Sequence, residues 1–284
     1  MAQATWWGLG SQLVHLLHAL AHRPAGAVFW DHRASPYTCC DACPNNGWDT
    51  LFAGDAPEQL PASSFLWHGG RAKACQAIDV GGLASLNRQL YNETAMCPQA
   101  LCAPLRSLWV LSPSARRRAD AELALLAPLR KPLVALHVRG GDKVYGPNNE
   151  TRPYTFEAGL TALAADPRNL GGTCVVVGDD DSLGRALARA APAALGCRVH
   201  YRIKRGGAHV QQAFNRQSLA RRCEASSALL TDIETLAYAD AAAMLAVSNT
   251  ARVATLLRAC RLGGDPRVVD WQGGNALSEA CYPN

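Results

Sequence analysis

The sequence of 284 residues is 49% hydrophobic and only 18% charged, a composition that buries real cores and excludes a disordered or fibrous protein. Its length corresponds to about two domains at roughly 150 residues each. The formal charge of +5 is too small and too evenly spread for a nucleic-acid surface, so we expect no nucleic-acid partner, although an anionic small ligand is compatible with it.

We expect neither a membrane span nor a leader in this sequence. No stretch reaches the ~18 consecutive apolar residues of a membrane helix, because Asp240 and scattered Gly and Arg residues interrupt every candidate. The first residues lack the basic region and cleavage site of a secretory signal, so we expect any export signal to lie outside this sequence.

The first 130 residues have an irregular α/β pattern. An apolar helix, a strand and a helix of mixed charge are predicted at 11–22, 27–31 and 113–129. Residues 35–70 are rich in Cys, Pro and Gly, which indicates long loops held by disulfides. We place a domain boundary near Arg130, which gives an N-terminal domain of residues 1–130 with Cys-rich loops.

From Lys131 onward, short apolar runs alternate with helical patterns, which is typical of βαβ units and a parallel sheet. The predicted strands lie at 133–138, 174–177, 197–201, 243–247 and 267–270. The first two are apolar throughout, which predicts central strands covered on both faces. The predicted helices lie at 154–166, 182–191, 249–261 and from a capping box that begins at Thr231. Residues 131–284 therefore form a predicted α/β domain.

Eleven cysteines are many for a cytosolic enzyme of this size, and they favour disulfides formed in a lumen. An odd number leaves at least one thiol free, and Cys174, beside an apolar run, is our candidate for it. Glycosylation sequons at Asn92 and Asn149 also fit a secreted protein. A weaker alternative for the closely spaced cysteines, which lack paired CxxC spacing, is a zinc site at Cys39, Cys40 and Cys43.

Ligands of a doubly wound sheet bind at the carboxyl ends of the strands, so the residues after each apolar run are the candidates for chemistry. The first run is followed by His137-Val138-Arg139-Gly140-Gly141-Asp142-Lys143. An Arg side chain grips two phosphate oxygens, and glycines let backbone N–H groups approach an anion. This junction predicts a diphosphate site, with an ordinary charged turn as the alternative.

Two further junctions have more than one interpretation. The second run is followed by Asp179, Asp180 and Asp181, whose carboxylates can bind Mg²⁺ or Mn²⁺ or contact a ligand directly. Asp is also the usual residue at a helix N-terminus, and we favour a structural or supporting role over a metal or a direct ligand contact. Ser248 and Asn249 follow a later strand, where a hydroxyl and backbone amides at a helix N-terminus form either an anion site or a simple cap.

Several common motifs are absent from the sequence, namely GxGxxG, the Walker lysine loop, HExxH and GxSxG. His15, His18 and His22 share one predicted helix face and offer a metal site in principle. Because no carboxylate pattern accompanies them, we favour a half-buried helix face.

Segments along most of the chain match one family in order and separation. Gly8-Leu9-Gly10-Ser11-Gln12-Leu13 is similar to Gly-x-Gly-Cys-Gln-Leu, and Gly47-Trp48-Asp49-Thr50-Leu51-Phe52 to Gly-Trp-Glu-Thr-Val-Phe. Residues 137–143 are similar to His-Val-Arg-Arg-Thr-Asp-Lys, Asp179-Asp180 to the end of Thr-Asp-Asp, and 230–252 to Leu-Asp-Ile-His…Ala-Asp…Ser-Ser-Gln…Arg. The chain thereby resembles the eukaryotic α1,6-fucosyltransferases that modify the N-glycan core, with the rhizobial nodulation fucosyltransferase as a distant relative.

The resemblance implies a GT-B-type α/β fold of two Rossmann-like domains, with a parallel sheet in the C-terminal nucleotide-binding domain and the acceptor side in the N-terminal domain. It implies GDP-fucose as the donor substrate, a glycan or glycoprotein as the acceptor, inversion at the anomeric carbon, and neither a divalent metal nor another cofactor. It also implies the Golgi or another secretory-pathway lumen. The oligomeric state stays open.

The resemblance also implies roles for individual residues. Arg139 would hold the pyrophosphate, and His137 and Asp232 the guanine. The full donor-binding set is Gly8, Gly10, His137, Arg139, Asp232, Ser248 and Asn249, supported by Asp179, Asp180, Asp240 and Arg252. Arg139 and Lys143 would stabilise the charge on the leaving GDP. Glu150 is the nearest match to the family's base, with Asp142 as the reserve.

The chain departs from the family pattern at functional positions. The second arginine of the first motif is Gly140, and the histidine of the third motif is Glu234. Glu150 lies inside the sequon of Asn149, so a catalytic base and a glycan exclude each other there. Two alternatives therefore stay open: another GDP-fucose-dependent enzyme, of the protein O-fucosyl or chitin-oligosaccharide type, and an inactive GDP-sugar-binding module.

Overall fold

The structure is a computed structural model that describes residues 51–53, 67–68, 71–72, 98–145, 153–203, 209–246, 248–262 and 267–272. The strands are β1 (Trp67–His68), β2 (Arg71–Ala72), β3 (Leu133–Val138), β4 (Thr173–Gly178), β5 (Arg198–Tyr201), β6 (Ala241–Met244) and β7 (Val268–Asp270). The helices are α1 (Pro98–Leu108), α2 (Pro113–Leu126), α3 (Asp142–Tyr145), α4 (Glu157–Ala164), α5 (Asp181–Leu195), α6 (Gln211–Asn215), α7 (Leu219–Tyr238) and α8 (Asn249–Leu262).

Five strands form one parallel sheet in the order β5-β4-β3-β6-β7. The chain enters at the central strand β3, moves outward through β4 and β5, and returns to the other side of β3 for β6 and β7. This reversal defines a doubly wound, Rossmann-like sheet whose topological switch point lies between β3 and β6. The predicted α/β class with a parallel sheet in the C-terminal half is confirmed.

The five predicted strands are confirmed; the range of β6 changes most, and those of β4, β5 and β7 shift by one residue at one or both ends. β3 is buried at all six residues, as expected for a central strand that helices cover on both faces. β6 begins at Ala241 instead of 243, because the Asp240 N–H already donates to the Leu133 carbonyl at 2.8 Å. β6 ends at Met244 instead of 247. Two residues later, the Ala246 N–H donates to the Asp270 side chain.

Alternate residues of β3 and β4 point to opposite faces of the sheet and belong to two separate hydrophobic cores. One core contains Leu136 and Val176 and is closed by α4, α5 and the fully buried Trp271. The other contains Ala135 and Val175 and is closed by α1, α2, α7 and α8. The helices thus form one layer on each face of the sheet, which is the usual arrangement of a doubly wound fold.

Helices α1 and α2 precede Arg130 in the chain, but they pack with the C-terminal sheet. α1 contacts α8, α2 contacts α7, and a disulfide joins Cys102 of α1 to Cys260 of α8. These helices therefore belong to the same packed unit as the sheet. The division into domains of 1–130 and 131–284, and the second domain of the GT-B arrangement, stay predictions, because residues 1–50 lie outside the described residues.

A second disulfide corrects the prediction that Cys174 is free. Cys174 lies in β4 and is bonded to Cys197, which directly precedes the neighbouring strand β5, with 5.8 Å between the two Cα atoms. Parallel pairing of β4 with β5 brings the two side chains together, which a sequence separation of 23 residues does not reveal. Cys223 is also disulfide-bonded. The zinc alternative at Cys39, Cys40 and Cys43 and both sequons lie outside the described residues.

The helix predicted to begin at Thr231 begins twelve residues earlier. α7 starts at Leu219, and the Ser218 side chain accepts the Arg221 N–H as its N-cap. Thr231 is buried in the middle of α7, and its hydroxyl donates to the Ser227 carbonyl at 2.9 Å. A Thr side chain inside a helix bonds back to the preceding turn in this way, so the Thr-x-x-Glu pattern was not a helix start.

Arg258 of α8 is fully buried and closes the C-terminus of α7. Its guanidinium donates to the carbonyls of Leu236 and Ala239 at 2.8 and 2.6 Å, and to that of Asp240 at 3.2 Å. The last carbonyls of a helix have no partner within the helix, and a cation there also interacts favourably with the negative end of the helix dipole. Arg258 thus joins the two long helices of one layer to the start of β6.

Of the helices that the structure describes, none combines the length and the apolar character of a membrane span.

We expect Arg258→Met to lower the free energy of unfolding by about 3 kcal/mol, because buried carbonyls lose their donors. Urea denaturation followed by circular dichroism, without reductant, measures the loss. Arg189→Met is the matched control, since Arg189 is an exposed residue of a helix, and we expect it to stay within about 0.5 kcal/mol of the wild type. Equal stability of the two variants would contradict this role of Arg258.

Candidate functional site

The three junctions singled out in the sequence lie at one edge of the sheet. Residues 139–142 follow β3, residues 179–181 follow β4, and residues 245, 246, 248 and 249 follow β6. Because all five strands are parallel, their carboxyl ends meet at this edge. The edge includes the switch point between β3 and β6, where ligands of doubly wound folds bind.

Arg139 is held at this edge from two sides. Its guanidinium forms an ion pair with the Asp179 carboxylate, which also accepts the Gly140 N–H at 2.8 Å. The Tyr154 hydroxyl accepts the Arg139 N–H at 3.0 Å and donates to the Arg139 carbonyl at 2.8 Å. Burial raises the pKa of Tyr154, so its hydroxyl keeps its proton and remains a donor. Both the backbone and the guanidinium of Arg139 are therefore held in place.

Each carboxylate of the acidic run has a protein partner. Asp179 pairs with Arg139, and Asp180 caps α5 by accepting the Leu183 N–H at 3.0 Å. Asp181 accepts the Tyr201 hydroxyl and pairs with Arg185, both at 2.8 Å. No cluster of three potential metal ligands occurs among the residues that the structure describes. Asp180 thus has the predicted role of a cap at a helix N-terminus.

Gly140 stands where the family that the sequence resembles has a second arginine, and the structure gives a physical reason for the small residue. A Cβ atom at Gly140 would overlap the carboxylate and the Cβ of Asp180. The next residue, Gly141, has a φ of +64°, and a Cβ there would overlap the His209 carbonyl. The close approach of these neighbours requires the two glycines.

Asp142 fastens the segment that begins at His209 to the turn. One carboxylate oxygen accepts the Gln211 N–H at 2.8 Å, and the other is buried without a hydrogen-bond partner among the described residues. The backbone of His209 donates to the Asp179 carbonyl and accepts the Asp142 N–H. Burial, and then the charge of Arg139, lower the pKa of His209. Asp142 therefore has a positioning contact, and Lys143 follows it, half-buried, in α3.

Two residues outside the third junction, Arg252 and Asp270, hold its backbone. Ser248 is buried and its carbonyl accepts the Arg252 N–H at 3.0 Å, so α8 begins directly after it at Asn249. The Arg252 guanidinium donates to the Ala246 carbonyl at 3.3 Å and to the Asn249 side chain at 3.4 Å. Asp270 accepts the Ala246 N–H at 3.2 Å. This loop is thus fixed at the N-terminus of α8.

His137 is buried near the end of β3. Its carbonyl accepts the Trp271 indole N–H at 2.7 Å, and its Nδ1 atom is buried with no hydrogen-bond partner among the described residues. In the alternation of β3 its side chain points to the sheet face that α7 covers, the face on which Asp232 lies. Burial, with a smaller effect of the Arg139 charge, lowers the pKa of His137 to about 3.

A cavity of about 330 Å³ lies between α7, α2 and the ends of β4 and β5. Asp179, Asp232 and Arg202 are among its lining residues. Arg202 is nearly buried and contacts Glu122 at 3.4 Å, Asp232 at 3.9 Å and the Thr235 hydroxyl. The cavity is of the size that small ligands occupy. The structure therefore places Asp232 at a polar cavity next to Asp179.

No protein-family model matches the chain, and no curated protein matches its sequence. Among solved structures, the chain is similar to POFUT1 in complex with GDP-fucose, with 14% identity over 56% of this chain and 46% of that chain and a TM-score of 0.34. It is also similar to POFUT1 in complex with GDP, with 15% identity over 57% of this chain and 48% of that chain and a TM-score of 0.35. The match thus covers less than half the length of these proteins.

Asp240 lies at the opposite edge of the sheet from the other candidate residues, which corrects its assignment as a supporting residue of the site. Its carboxylate accepts the Leu133 N–H at 2.7 Å and contacts Lys131 at 3.4 Å. It therefore fixes the beginning of β3, six residues before the end at which Arg139 lies. Gly8, Gly10 and Glu150 lie outside the described residues, and their roles stay predictions.

Sequence reasoning missed three residues of the site. Arg202 directly follows β5, so the rule of inspecting strand ends would have found it. Asp270 is the last residue of β7, so the same rule would have found it. Tyr154 carries no local signal, because it contacts the site through bonds to Arg139, 15 residues away in sequence.

We expect Gly140→Ala to destabilise the protein by about 1–3 kcal/mol, because the added methyl group overlaps Asp180. Asp180→Gly removes the overlapping atoms, and Gly is tolerated as an N-cap at a cost of a few tenths of a kcal/mol, so the cost of Gly140→Ala should shrink in that background. A double-mutant cycle of urea denaturation measures this coupling. Additive effects would contradict the contact.

We expect an acid-sensitive contribution of His137 to stability. Its pKa is about 3 when folded and near 6.5 in the unfolded chain, so between these values only the unfolded state binds the proton and stability falls as pH falls. From pH 7 to pH 5 the wild type should lose about 2 kcal/mol more than His137→Gln. Urea denaturation of both proteins at the two pH values tests this, and equal losses would contradict it.

Proposed function

We propose that this protein is a glycosyltransferase that moves fucose from GDP-fucose to a glycan acceptor with inversion. The proposal rests on one observation above all: the arginine of the His-Val-Arg motif is fixed, by Asp179 and Tyr154, at the ligand-binding edge of a doubly wound sheet. The family resemblance supplies the identity of the donor. A fixed guanidinium at this edge is suited to the diphosphate of a nucleotide sugar.

In the proposed reaction the bond between the fucose anomeric carbon and the β-phosphate oxygen breaks as the acceptor oxygen bonds to that carbon. GDP leaves with the electron pair of the broken bond. Arg139 and Lys143 stabilise the negative charge that develops on it, with the Ser248 hydroxyl and the backbone N–H of Asn249 as further donors. These groups supply the stabilisation that a divalent metal gives in other enzymes, so we propose a metal-independent reaction.

The guanine has two proposed partners on one face of the sheet. Asp232 lines the polar cavity beside Asp179, and the imidazole of His137 points to the same face. We propose the guanine contact of His137 on the resemblance; its Nδ1 atom is buried without a hydrogen-bond partner among the described residues.

The acceptor hydroxyl must lose its proton to a base, and we propose Glu150 for that role. The reserve candidate, Asp142, is bonded to Gln211 through one oxygen and buries the other. A base has to reach the acceptor proton directly or through a water molecule. We therefore propose that Asn149 carries no glycan, since a glycan there would obstruct its neighbour Glu150.

For the acceptor we propose the core GlcNAc of N-glycans with an α1,6 linkage, on the resemblance alone. Protein O-linked and chitin-oligosaccharide acceptors are alternatives with the same donor site. The disulfides Cys102–Cys260 and Cys174–Cys197 fit an oxidising secretory-pathway lumen, for which we propose the Golgi.

The test is transfer of labelled fucose from GDP-fucose to a GlcNAc-terminated biantennary glycopeptide, with hydrolysis by water counted in the same reaction. We expect transfer that is unchanged by EDTA. Arg139→Ala should lose about a hundredfold or more in turnover. The matched control is Arg185→Ala, which removes an arginine that also pairs with an aspartate of this run but lies on the exposed side of α5.

Each other result rejects a particular part of the proposed function. Hydrolysis without transfer keeps the donor and rejects this acceptor. GDP-fucose binding without turnover indicates an inactive binding module. Activity lost with EDTA and restored by Mn²⁺ rejects the metal-independent reaction, and wild-type turnover by Arg139→Ala rejects the site.

A further inference from the structure

Tyr145 is the most exposed large apolar side chain among the described residues, with 62% of its surface accessible. It ends the short helix α3, two residues after Lys143 and six after Arg139. Single exposed apolar residues are common on protein surfaces and have no meaning by themselves. Tyr145 is the aromatic residue among them that lies at the edge holding Arg139.

The backbone beneath Tyr145 is fixed. Its N–H donates to the Gly141 carbonyl at 2.9 Å, and Val144 before it is buried. Asp142, at the other end of α3, is bonded to the Gln211 N–H. The ring therefore extends from an anchored turn, which reduces the entropy lost when a ligand packs against it.

The Tyr154 hydroxyl bonds to the Arg139 backbone, and Tyr145 interacts electrostatically with Tyr154. After burial, this interaction contributes to raising the pKa of Tyr154. Val210, which is 45% exposed, belongs to the segment that Asp142 fastens to the same turn. An aromatic ring and an aliphatic side chain are thus exposed on segments attached to the turn that follows Arg139.

The chemistry of an exposed aromatic ring at such a place favours a sugar as its ligand. The face of an aromatic ring is electron-rich, whereas a pyranose presents one face of C–H groups with partial positive charge. Stacking of the two buries apolar surface and leaves the sugar hydroxyls in water. The proposed contacts of GDP-fucose include Arg139 and Ser248 but not Tyr145. The Tyr145 ring is therefore available to the second substrate, the acceptor glycan.

We propose that Tyr145 stacks on a pyranose ring of the acceptor glycan and thereby determines acceptor affinity. This inference rests on the proposed function. Tyr145 lies in the segment between Lys143 and Glu150, the segment in which the chain departs in length from the family it resembles.

The test compares Tyr145→Ala and Tyr145→Phe with the wild type. Calorimetric titration of the GDP-loaded proteins uses two probes, the GlcNAc-terminated biantennary glycopeptide and chitotetraose. We expect at least one probe to bind the wild type and to bind Tyr145→Ala about tenfold more weakly, with Tyr145→Phe unchanged because the ring is kept. Where transfer is measurable, the acceptor KM should rise by the same factor while the KM for GDP-fucose stays within twofold.

The control is Tyr238→Ala. Tyr238 is also an exposed tyrosine at a helix end, with 41% of its surface accessible, but it lies beside Lys131 at the opposite edge of the sheet. We expect acceptor and GDP binding by this variant to equal those of the wild type.

The outcomes separate this inference from the proposed function. Failure of the wild type to bind GDP overturns the proposed function and this inference with it. Normal GDP binding together with equal acceptor affinity of wild type and Tyr145→Ala, or with no affinity for either probe, overturns only the role of Tyr145. Dissociation of a wild-type oligomer on Tyr145→Ala, seen by light scattering, assigns the ring to self-association and also overturns it.

Discussion

The carboxylate of Asp179 joins the ends of two neighbouring strands of the sheet. It accepts the Gly140 N–H and pairs with Arg139, so one acid after β4 fixes both the backbone and the cation after β3. The two side chains are only 24% and 16% exposed, and a charge in such surroundings is costly without its partner. Asp179 therefore fixes the position of the Arg139 guanidinium. Tyr154 bonds to the Arg139 backbone, and the backbone of His209 bonds to those of Asp179 and Asp142.

The helix layer opposite α4 and α5 is held by two buried charged residues. Glu234 of α7 accepts the Trp109 indole N–H at 2.5 Å and both its oxygens contact Arg261 of α8, at 2.9 and 3.0 Å. Arg258 closes the C-terminus of α7. Buried charges stabilise a fold only when their hydrogen bonds are complete, and here they connect α7 to α8. Asp232 and Asn249 lie on these two helices, so this layer sets their relative position.

Much of the fold could be predicted from the sequence, because continuous apolar runs such as 133–138 exist only where helices cover both faces of a strand. The errors have a common cause. Thr231 satisfies a local pattern that also fits a helix interior, Cys174 finds its partner through strand pairing, and Asp240 belongs to a motif while lying at the other edge of the sheet. Local patterns specify the type of an element, whereas these contacts depend on the register between elements.

The same distinction applies to the candidate site. Arg139 and Ser248 follow apolar runs, so strand ends alone identified them. Tyr154 was found only in the structure, because its two bonds to Arg139 span 15 residues and follow no spacing rule. The reason for Gly140 was equally hidden, since the overlap that excludes a side chain involves Asp180 on another strand end.

The charges of the proposed donor site argue that it works by fixed geometry and not by an excess of positive charge. Asp142 and Asp179 offset Arg139 and Lys143, and burial lowers the pKa values of His137 and His209 and so keeps both rings neutral near pH 7. A diphosphate must therefore draw on directed donors, namely the guanidinium and the N–H groups at the start of α8, where the helix dipole adds roughly half a positive charge. Such donors cost no reorganisation when charge develops on the leaving group, which is when their stabilisation counts.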